Sequence, residues 1–370
     1  MIGAKPTLGV YGPYGRDKSG VAHYISDSIK YLGNEYRVTV ISNSSRWVDP
    51  YSFNATLYHL GNNRMHHSAF KAARLRPGIA LIHEYLHLDY YYQAHDLVPA
   101  SLQVDILTSL KAATGVHAAT LGEFLDRCAQ SGTTDPYAID VGVEKHIVHT
   151  SAMSVVHSQG VADMLKARYP AAAVEMIPFP VEPWPTEPDQ GHLRHYGIPE
   201  GTFTFGTFGF IGEYKQVPWI LTAWRQWHDR PSDTRLLLVG ERQIDVDADA
   251  EGVIEFGYVD DAEFTRLLAS VDCGIQLREP SLGETSGPAA SLTAHGRPLI
   301  VSDIPEMRLL GGGARTMFVE SGDRVIENLI AAIRSQYKLG RASHNGFDTR
   351  FSWDGWTAAI LKLLGRKPIR

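Results

Sequence analysis

The sequence predicts an α/β protein of two domains, each built on a parallel sheet. Three observations carry that prediction. Short apolar runs alternate with amphipathic stretches from end to end, the pattern of strands buried between helices. The alternation runs twice, and the two series are separated by Ile177–Gln190, a stretch with five prolines. The length of 370 residues suits two domains, at about 100–200 residues each.

Thr7–Tyr11 (TLGVY) reads as a buried first strand, and Gly12–Gly20 (GPYGRDKSG) as the loop that leaves it. Val21, Ile25, Ile29 and Leu32 then recur at helical spacing, and Tyr36–Ser42 returns as a strand. ATLYHLG, GIALIHE and SVVHSQ are further strands, the last followed by a helix over GVADMLKARY. The proline-rich stretch is neither regular helix nor central strand. It reads as a linker, centred on 179–187. The second series contains the strands TFTFGTFGFIG, RLLLVGE, GVIEFGYV, CGIQLRE, RPLIVSD and TMFVESG. Its helices are VPWILTAWRQW, DDAEFTRLLASV and RVIENLIAAIRSQY, and FSWDGWTAAILKLLG makes a final amphipathic helix. The expected domains are 1–178 and 188–349, with the last helix over 350–370.

Composition excludes several classes. Lys and Arg total 35 against 41 Asp and Glu, a net charge of -6, which argues against a nucleic-acid coat. The two cysteines, Cys128 and Cys273, lie far apart without metal-ligand spacing, so the expected compartment is a reducing cytoplasm without disulfides. The first residues lack the apolar run of a signal peptide. No stretch reaches the ~20 apolar residues of a membrane span.

In parallel sheets ligands bind beyond the carboxyl ends of the strands. Four candidate loops lie there: Gly12–Gly20, His83–Glu84, Gly209–Lys215 and Gly283–Gly287. The first offers glycines, Arg16 and Lys18, and a helix start at Ser19-Gly20 whose N–H groups suit an anion. It fits neither a Walker loop nor a clean GxGxxG, and an ordinary strand-to-helix turn explains it equally. His83 ends an apolar strand, where a histidine can orient a sugar hydroxyl or take part in proton transfer; His157 has the same placement. Glu84 and His87 follow closely, yet the context is strand into loop rather than the single helix that a His-Glu-x-x-His zinc site requires. Lys215, after Gly209 and before a helix, either meets a phosphate or is a solvated surface lysine. Around Glu284, Ser286 caps a helix and Pro288 fits its first turn, leaving N–H groups near Gly287 and Ala289 for an anion. Glu284, repelled by phosphate, should reach hydroxyls instead. The aromatic run EYLHLDYYYQ (Glu84–Gln93) is either a platform on which a ligand stacks or core.

This order of features resembles the retaining GT-B glycosyltransferases of family 4, the group 1 transferases. GETSGPAASLTAHGRPLIVSD, LLLVGE with GVIEFGYVDDAEFTRLLASVDCGI, and the pair YHLGNN and RPGIALIHE carry the resemblance over nearly the whole chain. It implies two Rossmann-like domains facing across a cleft, with the C-terminal helix crossing back to the N-domain. The implied reaction moves a sugar from a nucleoside-diphosphate-sugar to an acceptor hydroxyl with retention at the anomeric carbon. The acceptor is a glycan, a lipid-linked molecule or a small molecule, and a peripheral membrane contact is compatible with it. By position, Lys215 and Gly209 would meet the diphosphate, and Glu284 the transferred sugar. Thr285, Ser286 and Gly287 would receive the phosphates, with Ser19 and Gly20 closing that side. Gly257, Tyr258 and Val259 would line the base. His83 would serve in catalysis with Glu284, while Arg16, Glu84, His87 and His157 fall on the acceptor side. No tightly bound cofactor or metal is expected, since no Asp-x-Asp sits at a strand end, and DVDADAE (Asp245–Glu251) reads as a solvated loop.

Two departures stand out. The family's second glutamate, eight residues after the first, falls on Leu292, or on Ser291 when Gly296 and Pro298 set the alignment. The arginine that accompanies the diphosphate lysine is Phe210 here. Rival expectations are a catalytically silent sugar-nucleotide-binding partner subunit, and another GT-B enzyme such as a nucleotide-sugar epimerase or a phosphorylase.

Overall fold

The structure is a computed structural model that describes residues 4–15, 17, 19–131, 140, 142–184, 191–281, 283–309, 315–342 and 346–365. The chain forms two compact units. Unit 1 holds residues up to Ile177, the short return Leu282–Thr285 and the chain from Trp356 onward, and unit 2 holds Pro178–Ser281 and Ser286–Gly355.

The strands of unit 1 are β1 (Thr7–Tyr11), β2 (Arg37–Ile41), β3 (Ala55–Leu60), β4 (Ile79–Ile82), β5 (Met153–Val156) and β6 (Val174–Met176). They pair in the order β2-β1-β3-β4-β5-β6, and every described pairing is parallel. Parallel neighbours need crossovers, supplied by α1 (Gly20–Leu32), α2 (His67–Leu75), α3 (Leu88–Gln93), α4 (Ala100–Thr114), α5 (Leu121–Ser131), α6 (Lys145–Val148) and α7 (Gln159–Arg168). The winding reverses between β1 and β3, which makes their carboxyl ends the switch point of this sheet.

Unit 2 runs β7 (Phe203–Phe208), α8 (Val217–Gln226), β8 (Thr234–Val239), β9 (Val253–Gly257), α9 (Asp261–Ser270), β10 (Cys273–Gln276), α10 (Gly287–Ala294), β11 (Leu299–Ser302), β12 (Thr316–Val319) and α11 (Val325–Leu339). Its order is β12-β11-β10-β7-β8-β9, the doubly wound Rossmann order with its switch point between β7 and β10. Period-two alternation divides the strand residues between two cores. Phe205, Leu236, Leu238, Ile275 and Ile300 pack with Trp224 and Leu329 on one face. Phe208, Leu237, Val239, Leu299 and Val301 pack with Leu267 and Leu292 on the other.

Three stretches mark how the chain divides between the units. The described part of the proline-rich stretch, Pro178–Trp184, belongs to unit 2 rather than standing as a separate linker. Val181 donates its N–H to the Phe351 carbonyl at 2.8 Å, and the Trp184 indole stacks on His295 with ring centroids 3.7 Å apart. Residues 283–285, expected in the second domain, group with unit 1, where Glu284 forms an antiparallel bridge with Glu84. The final helix, α12 (Trp353–Leu364), joins unit 1 from Trp356. Trp356 is fully buried, edge-on to Tyr24 at 5.8 Å. Cys128 and Cys273 are both buried, and no disulfide joins them.

Candidate active site

In unit 1 three apolar strands end in histidine, and the sheet gathers them. His59 lies in β3, His83 follows β4 and His157 follows β5, all at the carboxyl end. Each is nearly inaccessible: His59 0%, His83 7% and His157 2% exposed. His59 Nδ1 and His83 Nε2 are 2.9 Å apart, with ring planes within 15° of each other. Tyr24 of α1 lies edge-on to His83 at 4.9 Å and 5.4 Å from the His157 ring. His157 Nδ1 donates to the Ile177 carbonyl at 2.9 Å, and His66 Nδ1 donates to the His59 carbonyl at 2.8 Å.

Burial disfavours the imidazolium at each of these sites. It lowers His59 to about 3, His66 to about 4 and His157 to about 4. His83 is pushed well below its ordinary value, by burial first and then by His59 and His157. Glu84, one residue on, goes the other way. Burial raises its carboxyl to about 7, against a hydrogen bond from the Asn62 N–H and with further upward pressure from Glu284. Two glycines make room for this arrangement. A Cβ on Gly12 would lie 3.0 Å from the His59 Cβ, and one on Gly61 would lie 2.5 Å from His66 Nε2 and 3.1 Å from Glu84 Oε2. Gly283, at φ +88°, lets the return strand approach the backbone of Tyr85 and Leu86, where a Cβ would stand 2.8 and 3.1 Å from their nitrogens.

In unit 2 the switch point carries a buried cation. Gly209 follows β7 with φ +94°, and a side chain there would run into Lys215 Nζ. Lys215 is 5% exposed, so it is no solvated surface lysine; its ammonium donates to the Phe208 carbonyl at the end of β7. Its turn is held by Gln216, which has φ +52° and donates from Nε2 to the Glu279 carbonyl at 2.5 Å. After β10 the chain reaches Ser286, which caps α10 by accepting the Ala289 N–H at 3.3 Å, with Pro288 in the first turn. A buried lysine and a capped helix start at one end of one sheet favour an anion.

The remaining expected residues separate clearly. Ser19 caps α1 by accepting from Ala22 N at 3.1 Å, and Gly20 opens that helix. Arg16 lies outside the described residues. Gly257 ends β9 at φ +63°, and Tyr258 beside it is 77% exposed, while Val259 packs partly against the core. Thr285 is partly buried, between Glu284 and the Ser286 cap. His87 is fully buried, edge-on to Phe70 at 5.0 Å. Tyr90 and Tyr91 are fully buried too, Tyr90 stacked on Phe70 at 3.7 Å; this part of the aromatic run is core, not a platform. Asp245 and Asp247 pair with Arg242 and Arg225, and among the described residues no group of three His, Cys, Asp or Glu side chains is placed to hold a metal ion. A cavity of about 470 Å³ in unit 2, lined by Trp224, Trp227, Arg230 and Glu251, lies at the amino ends of β8 and β9. That is the opposite end of the sheet from Lys215, so it is separate from the candidate site. Sequence reasoning missed His59, His66 and Tyr24. The signal was the thrice-repeated apolar run ending in histidine, in YHLG, LIHE and VVHS.

Two Rossmann-like units, the first completed by the final helix, define the GT-B class of glycosyltransferase fold. Residues 202–338 match the family described as Glycosyl transferases group 1, and the chain is accordingly a glycosyltransferase. Among solved structures it is similar to sucrose-phosphate synthase from Thermosynechococcus elongatus, with a TM-score of 0.57 and 14% identity over 97% of this chain and 98% of that one. HepE from Anabaena, solved in complex with UDP and glucose, gives a TM-score of 0.58 and 12% identity over 98% and 100% of the two chains. A glycosyltransferase from Rickettsia africae gives 0.58 and 12% over 97% and 98%. No curated protein sequence matches the chain. No helix among the described residues is long and apolar enough to cross a membrane.

Proposed function

We propose that the enzyme transfers a sugar from a nucleoside-diphosphate-sugar to an acceptor hydroxyl with retention of anomeric configuration. One observation carries this: the buried Lys215 ammonium at the β7–β10 switch point of unit 2, in the segment that matches the group 1 family. The capped start of α10 supports it, and so does the UDP-glucose held by the similarly folded HepE. In this reading Lys215 and the Gly287 N–H at the start of α10 stabilise the leaving diphosphate, where negative charge develops, while the Ala289 N–H stays with the Ser286 cap. Glu284 takes hydroxyls of the transferred sugar, Tyr258 and its neighbours line the base, and His83 is the histidine that acts on the transferred sugar. The protein's contribution is alignment and electrostatics rather than a resident cofactor. The acceptor is a glycan, a lipid-linked molecule or a small molecule, met in the cytoplasm.

The test is calorimetric titration with UDP, GDP, ADP and dTDP, repeated on Lys215→Ala. Micromolar binding of one nucleotide, weakened at least tenfold by the substitution, is expected, since a charged hydrogen bond is worth about 1.5–3 kcal/mol. Absence of binding by all four overturns the donor site. Product NMR then reads the anomeric configuration, and turnover should survive chelation by EDTA.

A further inference from the structure

His59 carries no role in the mechanism above, yet it is the innermost member of the strand-end histidine group. It is fully buried in β3, confined by Gly12 on the Cβ side and by the Tyr24 ring at 5.7 Å. Its Nδ1 meets His83 Nε2 at 2.9 Å in nearly coplanar geometry. Its Nε2 is buried and has no hydrogen-bond partner among the described residues. These facts fix the direction of the shared hydrogen bond.

A neutral imidazole bears one N–H. An N–H buried without an acceptor is costlier and rarer than an unfilled acceptor site. The His59 proton therefore sits on Nδ1, where it has a partner, and Nε2 is the bare nitrogen. Nδ1 then donates to His83 Nε2, which must be the unprotonated nitrogen of His83. Neutral His83 keeps its own proton on Nδ1. Burial holds both rings neutral near pH 7. The backbone of His59 is itself anchored by the His66 Nδ1–H.

We infer that His59 is a positioning residue that locks His83 as the Nδ1–H tautomer, so that His83 acts as a hydrogen-bond donor to a substrate oxygen and not as a base. The inference rests on the assignment of His83 to the transferred sugar, but its test needs no nucleotide. Histidine-selective 15N labelling and long-range proton–nitrogen correlation at pH 7 read each tautomer directly, with His83→Gln and His59→Gln assigning the two rings. Both rings are expected to be protonated on Nδ1. His59→Leu removes the donor, and the bare Nε2 of His83 should then lose the 15N shift of a hydrogen-bonded acceptor nitrogen. His59→Asn, whose amide can donate from the position of Nδ1, should restore the wild-type shift. In turnover, His59→Leu should lower kcat about tenfold with little change in donor KM, a size within the range of positioned acid–base groups, and His59→Asn should recover most of it.

A wild-type His83 protonated on Nε2 overturns the inference, and so does a His83 Nε2 resonance that is unchanged in folded His59→Leu. The wild-type spectrum decides the first point even where the leucine variant fails to fold. Failure of the glycosyl-transfer reading would show separately, in the nucleotide titration.

Discussion

Lowering the pH from 7 to 5 should destabilise unit 1 by several kcal/mol, because its core holds five histidines in the neutral form. His59 and His87 are lowered to about 3, His66 and His157 to about 4, and His83 well below its ordinary value; burial is the leading cause in each. In the unfolded chain each titrates near 6.5. As pH falls through that value the unfolded state takes up protons that the folded state refuses, so stability is lost from about pH 6.5 down to the folded pKa values. Between pH 7 and 5 the loss per histidine depends only on the unfolded pKa, and is about 2 kcal/mol. The five together approach ~10 kcal/mol. Glu84, raised to about 7 mainly by burial, opposes them: the folded state binds its proton first, which returns about 2 kcal/mol over the same window. Glu144, raised by burial against its Arg168 partner, acts in the same sense. The net loss is about 7 kcal/mol or somewhat less, comparable with the ~5–15 kcal/mol that holds a domain together.

The assay is hydrogen exchange by mass spectrometry on peptides covering β3, β4 and β5 at the two pH values, corrected for intrinsic exchange. Protection of these strands should collapse at pH 5, and His66→Gln should make it about 2 kcal/mol less pH-dependent. A protection free energy that stays within about 1 kcal/mol from pH 7 to 5 refutes the neutral cluster.

Two further substitutions test unit 2. Gly240 sits at φ +146° with its missing Cβ aimed at the Gly209 carbonyl, so Gly240→Ala should cost roughly 3 kcal/mol through strain and overpacking, read as a lowered urea midpoint. Ser286→Ala removes the cap that accepts the Ala289 N–H and should cost about 1 kcal/mol; a midpoint equal to wild type would show that the cap is not formed in solution.

The parallel sheets were legible because fully buried strands leave unbroken apolar runs: LIVS of β11 and IALI of β4 are buried at every residue. β6 escaped notice because it is three residues long with exposed Glu175 at its centre. α4 was equally silent, since Ile106 and Leu110 are its only fully buried residues, too narrow a stripe to read as a helix face. At the site, Lys215 was named from its place after a strand, but its burial follows from packing under the end of β7, which no local pattern reports. His59 hid as an ordinary strand residue because its partner, His83, is 24 residues away, brought beside it by the β3–β4 register.

The second-glutamate question is also settled by packing rather than by spacing. Leu292 is fully buried in the core between α10 and the sheet, so a ligand meets no polar group there. Ser291 is 8% exposed, and its hydroxyl accepts the Trp184 indole N–H at 3.1 Å. Trp184 is itself fixed by its stack on His295 and by its backbone N–H, which donates to His295 Nε2 at 3.0 Å. Whichever alignment is chosen, α10 offers no carboxylate to the hydroxyls of a ribose, and the small group it does offer is already occupied. A ribose hydroxyl held by a carboxylate would contribute about 1.5–3 kcal/mol, or roughly 10–100-fold in affinity. Without that grip, the nucleoside diphosphate this enzyme prefers and its 2′-deoxy counterpart should bind within about threefold of each other in calorimetry, a difference of under 1 kcal/mol. A preference above about tenfold for the ribo form would mean that another side chain has taken over the ribose, and would refute the derivation from Ser291 and Leu292.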